Sequence, residues 1–217
     1  SMVLPWAWML TLMLLPRQKA LLGRSSHKPA HIPALHWKEV PDFYQSLSET
    51  SVTHLALKLL ILTGVRTYAV RHLNIEQLQD NIWTIPAQNM KGNIDRVSDF
   101  AVPLSDEALN VIELAKPFAK DGFLFPGIRK GFISDAAMSR MMERRGMTAR
   151  PHGFRSSLRT WLADCTTAPE EIAETILAHS PRSKVVKAYR RTDFLEQRIV
   201  LMQRWADHIL DVNTVSK

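Results

Sequence analysis

The sequence has a single cysteine, Cys165, which excludes an intramolecular disulfide and with it the small secreted domains that disulfides hold together. Such cysteine use fits a reducing compartment, and we interpret Cys165 as a small core residue. The 217 residues also lack internal repeats, heptad arrays and low-complexity tracts. They therefore predict one domain of ordinary size, with or without an appendage.

An apolar run long enough to cross a membrane is also missing. Residues 2–15 are almost wholly apolar, but a spanning helix needs about 20 such residues. The stretch has neither the charged leading region nor a clear cleavage site of a secretory signal. We interpret it as an apolar N-terminal helix that packs on the body or on another chain, and we expect no membrane partner. Residues 1–30, with Ser1 as a tag-cleavage remnant and a basic linker after the apolar stretch, are predicted to precede one domain over residues 31–217.

Acidic residues are in the minority. The 28 Lys and Arg outnumber 21 Asp and Glu, which gives a net charge of +7 and an isoelectric point near 9.8. This balance favours an anionic partner, with nucleic acid as the first candidate, although charge alone does not decide it. Arginines are dense between positions 140 and 159, where Glu143 is the one acidic residue. The residues predicted there to contact a DNA backbone are Arg144, Arg145, Arg150 and Arg159.

Periodicity predicts an α+β fold that is mainly helical, with one small three-stranded antiparallel sheet. Apolar residues at helical spacing predict an amphipathic core helix over residues 49–62, which Gly64 ends. Residues 75–78, 81–86 and 96–103 are predicted strands, with a tight turn at Asp80-Asn81. Further helices are predicted over 105–115, over 134–145 with Ser134 as N-cap, and over 152–164, 169–177, 182–191 and 193–210.

Two arginines lie at positions that suit phosphate binding. Arg66 follows a predicted helix end and Arg155 lies in the first turn of another helix. Two guanidiniums brought together bind phosphate oxygens and stabilise the negative charge that builds up during phosphodiester cleavage. The alternative interpretation is that each is a solvated surface arginine.

Two histidines, His152 and His179, are candidates for proton transfer, because an imidazole titrates near neutral pH. If the chain is helical there, His152 and Arg155 share one face. Each histidine is also compatible with a structural role at a helix end. Neither has carboxylate or thiolate companions at metal-ligand spacing, so no metal site is predicted.

Tyr189 and Lys91 complete the candidate set. Tyr189 is one of three tyrosines and lies among lysines and arginines, which favour a phenol as a covalent nucleophile. Lys91 lies in the predicted hairpin loop and is a candidate general acid. The alternatives are an amphipathic helix aromatic and an ordinary exposed loop lysine.

Taken in order, these residues form a pattern that resembles the catalytic domain of the tyrosine recombinases, also called phage-type integrases. Within that family the chain is most similar to prophage integrases that insert at tRNA genes. The resemblance runs from about His31 to Leu210. It rests on Thr63-Gly64-Val65-Arg66, Trp83-Thr84-Ile85-Pro86-Ala87, Met90-Lys91, Val102-Pro103-Leu104-Ser105, Pro151-His152-Gly153-Phe154-Arg155, Leu177-Ala178-His179, Ala188-Tyr189 and the stretch 193–206.

The resemblance implies a role for each residue. Tyr189 would attack the scissile phosphate and form a 3′-phosphotyrosyl link, while Arg66 and Arg155 hold the phosphate. His152 would transfer a proton near the nucleophile, His179 would hydrogen-bond the phosphate region, and Lys91 would protonate the leaving 5′-oxygen. No cofactor is implied, neither ATP nor metal, because the covalent link conserves the bond energy.

The implied partners are double-stranded DNA attachment sites. Four protomers would assemble on two sites, whereas the free protein is expected to be monomeric, and accessory DNA-bending proteins would assist. The segment after Tyr189 would dock on a neighbouring protomer. The implied location is the bacterial cytoplasm, at the nucleoid.

Two departures from the family pattern leave alternatives open. The family usually has an acidic residue three positions after the first arginine, and this chain has Ala69 there. Arm-binding and core-binding domains usually precede the catalytic domain, and about 30 residues precede it here, so we expect weak, salt-sensitive DNA binding. The alternatives are a DNA-binding remnant that has lost turnover and a type IB topoisomerase with similar chemistry.

Overall fold

The structure, a computed structural model, describes residues 32–90, 98–128, 131–179 and 193–210. Within these ranges lie eight α-helices and one three-stranded antiparallel sheet, which confirms the predicted fold class. The helices are α1 (Val40–Ser46), α2 (Val52–Thr63), α3 (Thr67–Arg71), α4 (Asp106–Ala115), α5 (Ala137–Arg144), α6 (Phe154–Cys165), α7 (Glu170–Ile176) and α8 (Leu195–Leu210). The strands are β1 (Leu78–Gln79), β2 (Ile82–Ile85) and β3 (Phe100–Pro103). Across the described residues, no helix combines the length and the apolar character that crossing a membrane requires.

Helix α2 forms the centre of the core. The Ser51 hydroxyl caps its first turn by accepting from the His54 amide, and Gly64 ends it in the left-handed conformation at φ +62°. Nine of its twelve residues are buried, since α4, α5, α6 and α8 all contact it. The predicted helix is therefore confirmed, but it begins three residues later than predicted and is buried on most sides rather than on one.

The sheet follows the predicted hairpin with one correction. Asp80 and Asn81 both have positive φ, at +49° and +61°, and so form the tight turn between β1 and β2. Residues Ile75–Gln77, however, form a 3₁₀ turn that the Asn74 side chain caps, so the first strand is reduced to two residues. β2 pairs with β3 in the register Trp83↔Val102, and Trp83 is completely buried.

The predicted starts of two further helices, α5 and α6, are also wrong. Helix α5 begins at Ala137 without a side-chain cap, because Ser134 contributes its carbonyl, not its hydroxyl, to the preceding turn. Helix α6 begins at Phe154, because Pro151–Gly153 form a 3₁₀ turn in front of it. His152 therefore lies in that turn and Arg155 lies in the α-helix. The predicted helix over 182–191 lies outside the described residues.

Helix α8 closes the domain against both the core and the sheet. The Trp205 indole is buried and donates to the Ile61 carbonyl of α2 at 2.9 Å. Arg198 is 1% exposed and donates to the Ala101 carbonyl of β3 at 2.6 Å and to the Asp193 carboxylate at 2.8 Å. This buried arginine joins the start of α8 to the strand that lies beside the candidate site.

Candidate active site

Arg155 is the centre of the site, and it is 4% exposed. One terminal nitrogen, Nη1, donates to the Gly64 carbonyl at 2.6 Å, and the other, Nη2, donates to the Leu177 carbonyl at 2.6 Å. These carbonyls lie at the C-terminal ends of α2 and α7, where helix dipoles concentrate negative charge. The two helix ends therefore stabilise a guanidinium that burial would otherwise disfavour.

The electrostatics of Arg155 reflect this burial. Burial is the main cause that lowers its pKa to about 10, the positive charge of Arg66 lowers it further, and the Glu174 carboxylate opposes the shift. A pKa of about 10 still leaves the side chain charged at neutral pH. Arg155 is thus a buried permanent cation, which excludes the interpretation as a solvated surface arginine.

Arg66 lines a narrow cleft together with Arg155. It directly precedes α3, its side chain is half-buried, and burial lowers its pKa. The cleft that Arg66 and Arg155 share is also lined by Ala69, Met90, Phe100 and Ala178. Two cations therefore line one concave site, and phosphate binding by this pair stays a prediction.

His179 is fixed at the end of α7. Its amide donates to the Glu174 carbonyl at 2.9 Å and the Ala178 amide donates to the Thr175 carbonyl at 2.8 Å, with Ala178 at φ +49°. This is the pattern of a Schellman motif, with alanine at the position that favours glycine. The motif turns the His179 ring back over α7, where Nδ1 lies 2.6 Å from the Glu174 carboxylate and Nε2 lies 3.1 Å from Arg155 Nη2.

A second, shallower cavity adjoins Arg155. His152, Ser156, Arg159, Leu177 and His179 line it together with Arg155, so Arg155 belongs to both cavities. His152 is exposed on the 3₁₀ turn that precedes α6. The structure thus groups both histidines and both candidate arginines around one centre.

The turn that carries His152 rests on the segment by which the chain enters the domain. The Arg150 amide donates to the Pro33 carbonyl at 3.1 Å, and the Ser157 hydroxyl donates to the Leu35 carbonyl. Gly153 has no room for a side chain, because a Cβ there would lie 2.5 Å from the Pro33 oxygen and 2.8 Å from Ala34 Cα. Glycine at this position therefore lets the entering segment pack directly on the turn between His152 and Arg155.

Three of the four arginines predicted to contact DNA have intramolecular partners. Arg145 donates to the Ser46 hydroxyl at 3.1 Å and to His54 Nε2 at 3.2 Å. Arg150 donates to the carbonyls of residues 147–149 and pairs with Glu143 at 3.4 Å.

Arg159 donates to Glu174 at 2.9 Å and lies 3.8 Å from Glu170. Arg144 is exposed at the end of α5. DNA contact by these four residues stays a prediction.

Lys91 and Tyr189 lie outside the described residues. Within the described ranges, no three His, Cys, Asp or Glu side chains are grouped closely enough to hold a metal ion. Sequence reasoning missed Glu174, which contacts both His179 and Arg159. The available signal was its position five residues before His179, which has meaning only once the helix end between them is known.

The chain is similar to known integrases. The model of the phage integrase family matches residues 34–196. Prophage integrase IntA of Escherichia coli is 30% identical over 198 residues, which cover 86% of this chain and 47% of IntA. The integrase of Shigella phage Sf6 is 26% identical over 215 residues, which cover 88% of this chain and 54% of the phage protein. This chain spans about half the length of these relatives.

Solved structures show the same fold at lower identity. A lambda integrase tetramer bound to a Holliday junction matches with a TM-score of 0.56 and 18% identity, over 80% of this chain and 57% of that one. XerA recombinase matches with a TM-score of 0.54 and 18% identity, over 72% of this chain and 59% of that one.

Proposed function

Since this chain belongs to the phage integrase family, we propose that it is the catalytic domain of a site-specific DNA recombinase. Tyr189 attacks the scissile phosphorus, a 3′-phosphotyrosyl bond forms and the 5′-oxygen leaves with a proton. A 5′-hydroxyl of the exchanged strand then attacks that bond and releases the tyrosine. No net bond energy is lost, so the cycle needs no ATP.

The observation that carries the proposal is the convergence of Arg66 and Arg155 on one cleft. A guanidinium has five N–H donors, and three donors of Arg155 are directed to Gly64, Leu177 and His179. Among the residues that the structure describes, the Nε donor and the second Nη1 donor of Arg155 contact no acceptor, so with the fork of Arg66 they are available to phosphate oxygens. Donors held rigidly by helix ends stabilise the pentacoordinate transition state more than the ground state, because they need no reorganisation.

The proposed roles of the other residues follow their positions around this phosphate. His152 and His179 line the cavity beside Arg155 and serve as proton carrier and hydrogen-bond partner respectively. Lys91 follows Met90, which lines the cleft, and protonates the leaving 5′-oxygen. Tyr189 follows His179 by ten residues.

The proposed partner is duplex DNA at two attachment sites, bound by four protomers in the bacterial cytoplasm, with accessory DNA-bending proteins. The net charge of +7 and the exposed Arg144 support a polyanionic partner. The lambda integrase tetramer on a Holliday junction supports the stoichiometry by analogy of fold. Insertion at tRNA genes stays a prediction from the sequence resemblance.

The test is covalent capture of DNA. The protein is incubated with a library of nicked duplexes that carry a randomised core. When cleavage occurs beside the nick, the short fragment with the free 5′-hydroxyl diffuses away, which traps the covalent intermediate. We expect an SDS-resistant adduct that Tyr189→Phe abolishes. An adduct that survives Tyr189→Phe would contradict the assignment of the nucleophile. DNA binding without any adduct would indicate a binding module, and relaxation of supercoiled plasmid would indicate a topoisomerase.

A further inference from the structure

We propose that Glu174 is a positioning residue for this site, because its carboxylate holds the His179 ring in one tautomer and one orientation against Arg155. The catalytic part of this inference rests on the proposed function, whereas the tautomer itself is a property of the free protein. Neither the sequence pattern nor the family match assigns Glu174 a role.

The hydrogen bonds of the ring determine its tautomer. Arg155 Nη2 is a donor without acceptor capacity, so His179 Nε2, at 3.1 Å, accepts through its lone pair. A neutral imidazole with a lone pair on Nε2 carries its proton on Nδ1. That proton needs an acceptor, which the Glu174 carboxylate provides at 2.6 Å. Rotating the ring by 180° would replace both nitrogens with carbon atoms and break both contacts.

Arg159 keeps the carboxylate in place. Its Nε donates to Glu174 Oε1 at 2.9 Å, while His179 engages the other oxygen, Oε2, so each oxygen has one partner. Burial by itself would raise the pKa of Glu174, but the hydrogen bonds from Arg159 and His179 outweigh it and lower the pKa. The carboxylate is therefore ionised at neutral pH. The hydrogen-bonded series Arg159–Glu174–His179–Arg155 is called the positioning relay below. Its two arginines are four residues apart on α6, so a single helix supports both ends of the relay.

The relay links the backbone of α7 to the buried guanidinium. Glu174 also accepts the His179 amide through its carbonyl, so the main chain and the side chain of one residue both fix the histidine. With its ring locked, His179 accepts one N–H of Arg155 and so adds a third hydrogen bond to the two that the Gly64 and Leu177 carbonyls already make with the guanidinium. The guanidinium held in this way lines the cleft together with Arg66.

The first test uses the free protein and needs no DNA. Long-range ¹H–¹⁵N spectra report which ring nitrogen of His179 carries the proton. We expect protonated Nδ1 and unprotonated Nε2 in the parent protein and in Glu174→Gln, whose amide oxygen still accepts. In Glu174→Ala the Nδ1 proton loses its acceptor and the ring is free to turn away from Arg155, so we expect a mixture of tautomers. A ring protonated on Nε2 in the parent, or a tautomer unaffected by Glu174→Ala, would overturn the inference.

The second test measures the rate of adduct formation on the nicked duplexes. Glu174→Ala should slow it about 10- to 100-fold, the usual effect of losing a hydrogen bond to a charged group. Glu174→Gln should recover most of that loss.

The matched control is Glu170→Ala, which removes an exposed carboxylate from the same helix. This carboxylate pairs with Arg159 but does not contact His179. It should change the rate by less than about twofold. If Glu170→Ala and Glu174→Ala slowed adduct formation equally, the loss of one negative charge would explain both effects, and the inference would be overturned. If the parent forms no adduct while the tautomer result holds, the proposed function fails and the positioning relay stands.

Discussion

Two helix ends meet at Arg155, and they are built differently. Helix α2 ends in Gly64 at φ +62°, which is buried against Leu158. Helix α7 ends through Ala178 at φ +49°, and Ala178 lines the cleft. Each end presents a carbonyl to a different nitrogen of Arg155 at the same distance of 2.6 Å.

The difference between these two helix ends separates two reasons for which a position requires glycine: a positive φ, and a lack of space for a side chain. At Gly64 a side chain would meet both an unfavourable φ and no space. At Ala178 the φ is unfavourable but the space is open, and alanine is present. Gly153 supplies the third combination, because its φ is an ordinary −61° while Pro33 and Ala34 leave no space. Backbone conformation and packing can therefore be tested one at a time around a single site.

The largest effect is expected for Gly64→Ala. A left-handed alanine costs about 1–2 kcal/mol, and forcing a methyl group onto Leu158 costs about 1–3 kcal/mol more. We predict a loss of about 2–5 kcal/mol in the free energy of unfolding, measured by urea denaturation. The control is Gly146→Ala, which has φ +73° and no atom within 4 Å, and which should lose only the backbone part. Equal losses in the two variants would contradict the packing argument.

Gly153→Ala tests packing without backbone strain. The new methyl group would displace the Pro33–Ala34 segment, and we expect a loss of about 1–3 kcal/mol in stability. The displaced turn also carries His152, so adduct formation should fall more than stability alone explains. A variant with parent stability and parent activity would show that the entering segment does not support the turn.

Ala178→Gly tests backbone strain without packing. Glycine adopts the left-handed conformation without the steric cost that alanine bears there, so the variant should gain about 1–2 kcal/mol in stability. Thermal unfolding followed by circular dichroism measures this gain as a higher Tm. A lower Tm would mean that the methyl group of Ala178 contributes more through packing in the cleft than its φ costs.

The smallest expected effect is on the stability of the protein at acidic pH. The end of α7 is also held by side chains, because Glu174 receives hydrogen bonds from Arg159 and His179 that lower its pKa. A carboxyl whose pKa is lower in the folded state stabilises the fold above its unfolded pKa, near the ordinary 4.5, and loses that contribution as pH falls through the folded pKa. Glu174→Gln should therefore flatten the fall of stability below that pH. An unchanged acid profile would contradict the lowered pKa.

The sequence predicted those features that depend on local signals. The apolar spacing and Gly64 located α2, and Asp80-Asn81 located the hairpin turn, because side-chain periodicity and tolerance of positive φ are local properties. Ser134 was a wrong N-cap, since a serine before a helical pattern does not show whether its hydroxyl or its carbonyl makes the contact. The order of Arg66, His152, Arg155 and His179 predicted their convergence through the family resemblance.

Long-range contacts could not be predicted in this way. The dense arginines of residues 140–159 suggested an open basic surface, because only Glu143 opposes them in sequence. In the fold, helix α7 brings Glu170 and Glu174 to Arg159, while the end of α1 and the first turn of α2 bring Ser46 and His54 within reach of Arg145. The burial of Arg155 likewise depends on two helix ends that are far apart in sequence, at Gly64 and Leu177.

The central claim is that Arg66 and Arg155 act on one phosphate as a unit, and a double-mutant cycle tests it most directly. Arg66→Lys, Arg155→Lys and the double variant each keep the positive charge but lose the forked donors. We predict that the rates of adduct formation are non-additive, with a coupling of about 1 kcal/mol or more between the two sites. If the fold-change of the double variant equalled the product of the two single fold-changes, the arginines would act independently. That result would contradict the shared phosphate site.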